Sequence, residues 1–303
     1  MTKPIQILLQ TTIPTTEDDW SIERFSLLRN YLASLNDEAG NPLCEVTARD
    51  RKPDAEGNDP VLSQLDRSDF DELWLFAVDV GDGLTEKDCA GITAFHQRGG
   101  GILVTRDHQD LGCSVCQLEN IGLYHFFQTH NPDPDESRRC IDDIYTKTIS
   151  WPNYHSGRNG DYQKITPVDP IHELLKNPAS PSGHIEFFPA HPHEGAVGVS
   201  PNDGNARVIA TGTSLVSGRS FNLAVAIDRV KDAQGNVLGR VVAESTFHHF
   251  CDYNWDARMG CPSFVDEPPG DTMQREPRAL EDLKAYIRNI TFWLTPSMVV
   301  SNS

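Results

Sequence analysis

Apolar residues recur along this chain in two spacings. Ile5-Gln-Ile-Leu-Leu9, Leu73-Trp-Leu-Phe-Ala-Val78 and Ile102-Leu-Val-Thr105 are short, mainly apolar runs that read as strands, the second of them buried, and Cys44-Glu-Val-Thr-Ala48 is a further candidate strand. After the first of these, Ile22, Phe25, Leu28, Tyr31 and Leu32 follow helical spacing and predict a helix over 18–32. A second helix is predicted from Thr85 to Arg98, closed by Gly99-Gly-Gly101. The unit 73–105 therefore reads as strand, helix, strand, the crossover of a parallel sheet. Strands return at Arg207–Thr211, Phe221–Asp228 and Arg240–Thr246, with Gln234-Gly-Asn236 as a hairpin turn before the last. Over 277–294, Leu280, Leu283, Tyr286, Ile287, Ile290 and Trp293 share one side of a closing helix.

From about 110 to 205 neither period holds. Asn131–Ser137, Trp151–Asp161 and Pro189–Gly195 are rich in turn formers, and long segments of this kind inside a compact chain are more often functional loops than connectors. The expectation is a single α/β domain over 1–303 with a loop-rich insertion at about 110–205.

Composition narrows the partners. The chain carries 26 Lys and Arg against 44 Asp and Glu, a net charge of −18. Nucleic acid and anionic membrane surfaces would repel it. No apolar run approaches a membrane span, and the start has no secretory pattern. Seven cysteines, an odd number without a repeating spacing, fit free thiols in a reducing compartment, so the expected location is the cytoplasm. Cys113 and Cys116 have the C-x-x-C spacing, but there is no second pair to complete a zinc ribbon. A phosphate-binding glycine loop and a Gly-x-Ser-x-Gly elbow are both missing, which removes kinase, nucleotide-dehydrogenase and serine-hydrolase readings.

Five segments, in this order, resemble the class I glutamine amidotransferase-like superfamily, nearest its trehalose-utilisation (ThuA-like) branch. They are Leu73–Val78, Gly99-Gly-Gly-Ile-Leu-Val-Thr-Arg-Asp-His108, Asp169-Pro-Ile-His-Glu-Leu174, Arg240-Val-Val-Ala-Glu-Ser-Thr-Phe-His-His249 and Tyr286–Leu294. The resemblance implies a flavodoxin-like (amidotransferase-like) parallel sheet with helices on both faces and a site at the carboxyl ends of the strands. It also departs from the family. Where a true amidotransferase places its Cys nucleophile between glycines, this chain runs into Arg106-Asp107-His108. Glutamine hydrolysis through a thioester is therefore not expected. His248 and His249 stand where the family's catalytic base would be.

Several constellations could carry chemistry. Asp107 and His108 end one predicted strand, and His248 and His249 end another, so a parallel sheet would bring them to one crevice. These four are the catalytic candidates. His108, His248 and His249 with Asp252 make a set that Zn²⁺, Mn²⁺ or Fe²⁺ accepts, which makes a divalent metal the cofactor to expect if there is one. The same groups without metal could transfer protons near neutral pH. In His191-Pro-His193-Glu194, alternate residues of an extended segment project to one side, so His191 and His193 could chelate one ion or contact one ligand. Trp151, Tyr154 and Arg158 interleave rings with hydrogen-bonding groups suited to a small polar, carbohydrate-like molecule. Those six residues are the substrate-binding candidates.

Two functional readings stay open on the sequence. One is an enzyme, a hydrolase or proton-transfer catalyst acting on a small polar substrate. The other is a non-catalytic ligand-binding or assembly module on the same fold, which one superfold can equally host. A homo-oligomer is compatible with either.

Overall fold

In a computed structural model the described residues are 3–139, 141–142, 148–200 and 203–296. Cys140 lies outside them. The strands are β1 (Ile5–Pro14), β2 (Cys44–Arg51), β3 (Glu72–Phe76), β4 (Gly101–Val104), β5 (His125–Phe126), β6 (Tyr162–Lys164), β7 (Thr166–Pro167), β8 (Phe187–Pro189), β9 (Ala196–Val197), β10 (Ala206–Thr213), β11 (Ser220–Ile227) and β12 (Val241–Glu244). The α-helices are α1 (Ser26–Ala33), α2 (Glu86–Gln97), α3 (Asp252–Trp255), α4 (Thr272–Arg275) and α5 (Pro277–Leu294).

Eight strands form one sheet in the order β2-β1-β3-β4-β12-β11-β10-β7. The first five in that order are mutually parallel, and the last three pair antiparallel. Taking β12 as the fifth parallel strand, the order is 2-1-3-4-5, which defines the flavodoxin-like doubly wound fold. Alternation along the strands sorts the core into two layers. Ile7, Leu9, Trp74 and Phe76 face α1 and α5, whereas Leu8, Leu73 and Leu75 face α2 with its Ile92 and Phe95. Helices thus cover both faces, and the inner strands are buried on both sides, as parallel strands must be.

Local chemistry sets the helix ends. Thr85 caps α2 through a capping box with Asp88, and Gly99 at φ +95° stops the chain after the last turn. Pro277 starts α5 at a position where its missing N–H costs nothing. The first helix begins later than its periodicity suggests. Asp18 takes φ +60° and binds Ser263, residues 22–25 form a 3₁₀ turn, and regular α-helix starts only at Ser26. Between β4 and β10 the chain makes two small ribbons, β5 with β9 and β6 with β8, joined by loops. Among the described residues no helix is long and apolar enough to cross a membrane.

One buried carboxyl tests the core. Glu72 at the start of β3 is fully buried and accepts hydrogen bonds from Trp74 Nε1 (2.9 Å) and Thr295 Oγ1 (3.0 Å). Burial outweighs both donors and pushes its carboxyl up to about 8. Native Glu72 therefore keeps a proton that the unfolded chain releases above its ordinary value of 4.5, so its contribution to stability falls as pH rises from 4.5 to 8. Glu72→Gln should gain stability over the parent as pH rises, by ~2–4 kcal/mol at pH 9 in urea unfolding. A gain that is the same at pH 6 and pH 9 would refute this account.

Candidate functional site

The carboxyl ends of β4 and β12 lie side by side, and the loop before β9 packs against both. Backbone bonds stitch the three together: Phe247 N–H donates to Arg106 O (2.9 Å) and Gly195 N–H to Ser245 O (3.0 Å). The Arg106 guanidinium is fully buried beneath this junction. It donates to the carbonyls of Phe126, Ala196 and Gln109 and lies 3.9 Å from the centre of the Phe127 ring. Gln109, just after His108, is held at φ +48° with its N–H on Pro152 O.

Above the junction is a cavity of about 120 Å³. Asp107, His108, His191, His193, His248 and Glu267 supply its ionisable lining, and Asn159, Trp20, Ile149, Phe264 and Val265 complete the wall. The described lining thus holds two carboxylates and no Lys or Arg. The His191 and His248 rings stack at 3.6 Å, 13° from parallel. His191 Nε2 lies 3.4 Å from Asp107 Oδ1, and His108 Nε2 lies 3.7 Å from Asp107 Oδ2. His193 Nε2 meets Glu267 Oε1 at 2.7 Å. Burial, reinforced by neighbouring imidazoles, holds His191 and His248 well below the ordinary histidine value, and burial also lowers His108. These three rings are neutral at pH 7. The hydrogen bond from His193 pulls the Glu267 carboxyl below its usual range.

Among the described residues, Asp107, His191 and His248 form a group whose potential ligand atoms all lie within 4.8 Å of one another. The expected metal grouping of His108, His248, His249 and Asp252 does not assemble in this structure. Phe247–His249 is a single 3₁₀ turn, so the adjacent His248 and His249 point in different directions. His249 turns into the protein between two carboxylates, with Nδ1 3.0 Å from Glu244 Oε2 and Nε2 3.3 Å from Glu194 Oε1. Although burial opposes it, the two carboxylates, Glu194 foremost, raise His249 to about 10 and keep it charged. Asp252 caps α1, accepting from Ser26 N, Ser26 Oγ and Leu27 N at 2.6–3.0 Å.

The substrate-binding candidates also divide. His191 and His193 line the cavity. Glu194 is fully buried in the His249 network, where Gln163 Nε2, Ser156 Oγ and Ser245 Oγ also donate to it. Trp151 and Tyr154 belong to the hydrophobic core, with Tyr154 stacked on Phe221 at 4.9 Å. Arg158 pairs with Asp161 at 3.1 Å at the surface. Glu267 and Asn159 are lining residues that the sequence reading passed over. Glu267 lies in a proline-flanked stretch that reads as a surface loop, and nothing in its neighbours marks it. Asn159 offered only its place within Arg158-Asn-Gly-Asp161. Burial pushes the Cys113 and Cys116 thiols up to about 11 and about 12, the reverse of thiolate activation.

No protein-family model matches the chain, and no curated protein matches it significantly. Among solved structures it is similar to a protein from Parabacteroides merdae described as ThuA-like, at 17% identity over 89% of this chain and 96% of that one, with a TM-score of 0.47. A second protein so described, from Bacteroides uniformis, is 10% identical over 93% of each chain, with a TM-score of 0.43. The glutaminase domain of a Trypanosoma brucei CTPS is 13% identical over 94% of each chain, with a TM-score of 0.42. The strand order, not these likenesses, defines the fold.

Proposed function

We propose that the chain is an enzyme that hydrolyses, or moves a proton on, a small polar molecule without net negative charge. The observation that carries this reading is the convergence of four imidazoles and two carboxylates on one cavity at the carboxyl ends of the parallel strands. That edge is where open α/β sheets bind ligands. His193, oriented by Glu267, and the neutral His108 beside Asp107 are the groups placed to take and return a proton. Two carboxylates and no described cation around the cavity disfavour an anionic substrate. The volume admits a reacting group about the size of ~4 water molecules. The remainder of a substrate would extend along the exposed Phe264.

Turnover of a panel of small neutral esters, amides and lactones tests this. His193→Gln and His108→Gln should each lower kcat/KM for the best substrate by ~10²–10⁴-fold, with the circular dichroism spectrum unchanged. Unaltered turnover in both variants overturns the assignment. A ligand that binds in the cavity without turnover overturns it too, and returns the chain to the reading as a binding module.

A further inference from the structure

We propose that Asp107, His191 and His248 bind one divalent transition-metal ion, with zinc the ion best matched to the donors. This deepens the reading of the crevice as an enzyme centre, but it is tested apart from that reading because metal binding is measured without turnover.

The argument rests on a hydrogen-bond chain behind the cavity. Asn254 Nδ2 donates to Ala190 O (2.9 Å), a carbonyl that can only accept, which fixes how the Asn254 amide is turned. The same Nδ2 donates to Asn159 Oδ1 (2.9 Å). Asn254 Oδ1 is then the atom facing His248 Nδ1 at 2.9 Å, and Asn159 Oδ1 is the atom facing His191 Nδ1, also at 2.9 Å. Both imidazoles must carry their proton on Nδ1 to satisfy these acceptors. One pair of amides therefore sets two tautomers, and each ring is left with an unprotonated Nε2. Outer-shell bonds from ligand histidines to fixed acceptors are how proteins prepare imidazoles for metal.

The front of the cluster has what an ion would supply missing. His191 Nε2 is buried without a hydrogen-bond partner, an arrangement that costs stability unless something else meets the lone pair. Asp107, itself 3% exposed, brings a carboxylate oxygen 3.4 Å from that nitrogen. Two imidazoles and one carboxylate suit zinc and its first-row neighbours, whereas calcium and magnesium prefer oxygen donors. Three protein donors beside a cavity match the open, catalytic class of site rather than the closed structural one. An ion held there would supply Lewis acidity toward a group lodged in the cavity.

Chelator-treated protein titrated with Zn²⁺ by calorimetry, and with Co²⁺ by its visible absorption, tests the inference. One equivalent should bind, and zinc should raise the melting temperature of the unaltered chain. Asp107→Asn, His191→Gln and His248→Gln should each weaken zinc by at least ~100-fold. Asn254→Leu, which touches no ion, should weaken it by ~10–100-fold by freeing both tautomers. His130→Ala, on the exposed surface, should change nothing. Absence of binding by the unaltered chain overturns the site, as does unchanged affinity in His191→Gln and Asp107→Asn. Turnover that survives complete metal removal would also count against it, while leaving the proposed enzyme standing. Tight zinc binding without turnover would do the opposite.

Discussion

Replacing Glu194 by Gln is expected to cost ~3–5 kcal/mol of stability at pH 6, the range for breaking a buried ion pair. The loss should shrink as pH approaches 10. Glu194 and Glu244 grip the two nitrogens of His249 inside the protein, and Tyr286 Oη donates to Glu244 from α5. Because the native His249 is raised to about 10 from an unfolded value of 6.5, its contribution is complete below pH 6.5 and is lost as pH climbs through 10. The Glu194→Gln substitution leaves only Glu244 to hold the proton, so the variant loses this contribution at a lower pH than the parent. The excess stability of the parent over the variant is therefore largest on the acid side. Urea unfolding at pH 6, 8 and 9.5 reads it directly, and a difference that does not vary with pH would show that His249 is neutral in the native state.

The two neighbouring histidines thus serve opposite ends. His248 opens on the cavity as a neutral ring, while His249 is a charged rivet joining the end of β12 to the 191–195 loop and to α5. The rivet matters to the site because His191, His193 and Glu194 occupy one short stretch. Anchoring Glu194 from inside positions the two imidazoles that face outward.

Much of the framework was legible in the sequence for a physical reason. Strands β3, β4 and β12 are buried on both faces and appear as apolar runs, while the edge strand β2 is partly exposed and alternates apolar with polar residues, and the predicted helices over 85–98 and 277–294 fall within a residue of α2 and α5. The 110–205 stretch was opaque because its order is long-range. His125 pairs with Val197, and Tyr162 with Pro189, so no local period records either contact. In the site, strand ends pointed to Asp107, His108 and His248, since the parallel topology gathers them. The roles of His249 and Asp252 could not be read in that way. Which of two adjacent histidines faces inward depends on a 3₁₀ turn, and Asp252 finds its partners 225 and 226 residues away in α1. Trp151 and Tyr154 looked like a ligand platform because aromatic rings next to polar groups have the same composition whether they bind sugars or anchor a loop.

Gly195→Ala is expected to damage fold and site together. The φ of this glycine is not in the left-handed region, and the reason for it is space. A Cβ there would lie 2.6 Å from Ser245 O, 2.7 Å from Asp107 O and 2.7 Å from Arg106 Nε. Two of these are backbone atoms at the ends of β12 and β4, and the third belongs to a guanidinium with no room to retreat, so the loop itself must move away. The expected cost is ~3 kcal/mol, the upper part of the range for overpacking a core. Moving the loop also carries His191 away from Asp107 and His248, so zinc affinity should fall by at least ~10-fold in whatever fraction stays folded. Gly204→Ala, which meets nothing within 4 Å, is the matched control and should alter neither quantity. If Gly195→Ala melts and binds zinc as the parent does, then the close packing of loop, β4 and β12 does not hold the cluster together, and the arrangement of its three donors has some other source.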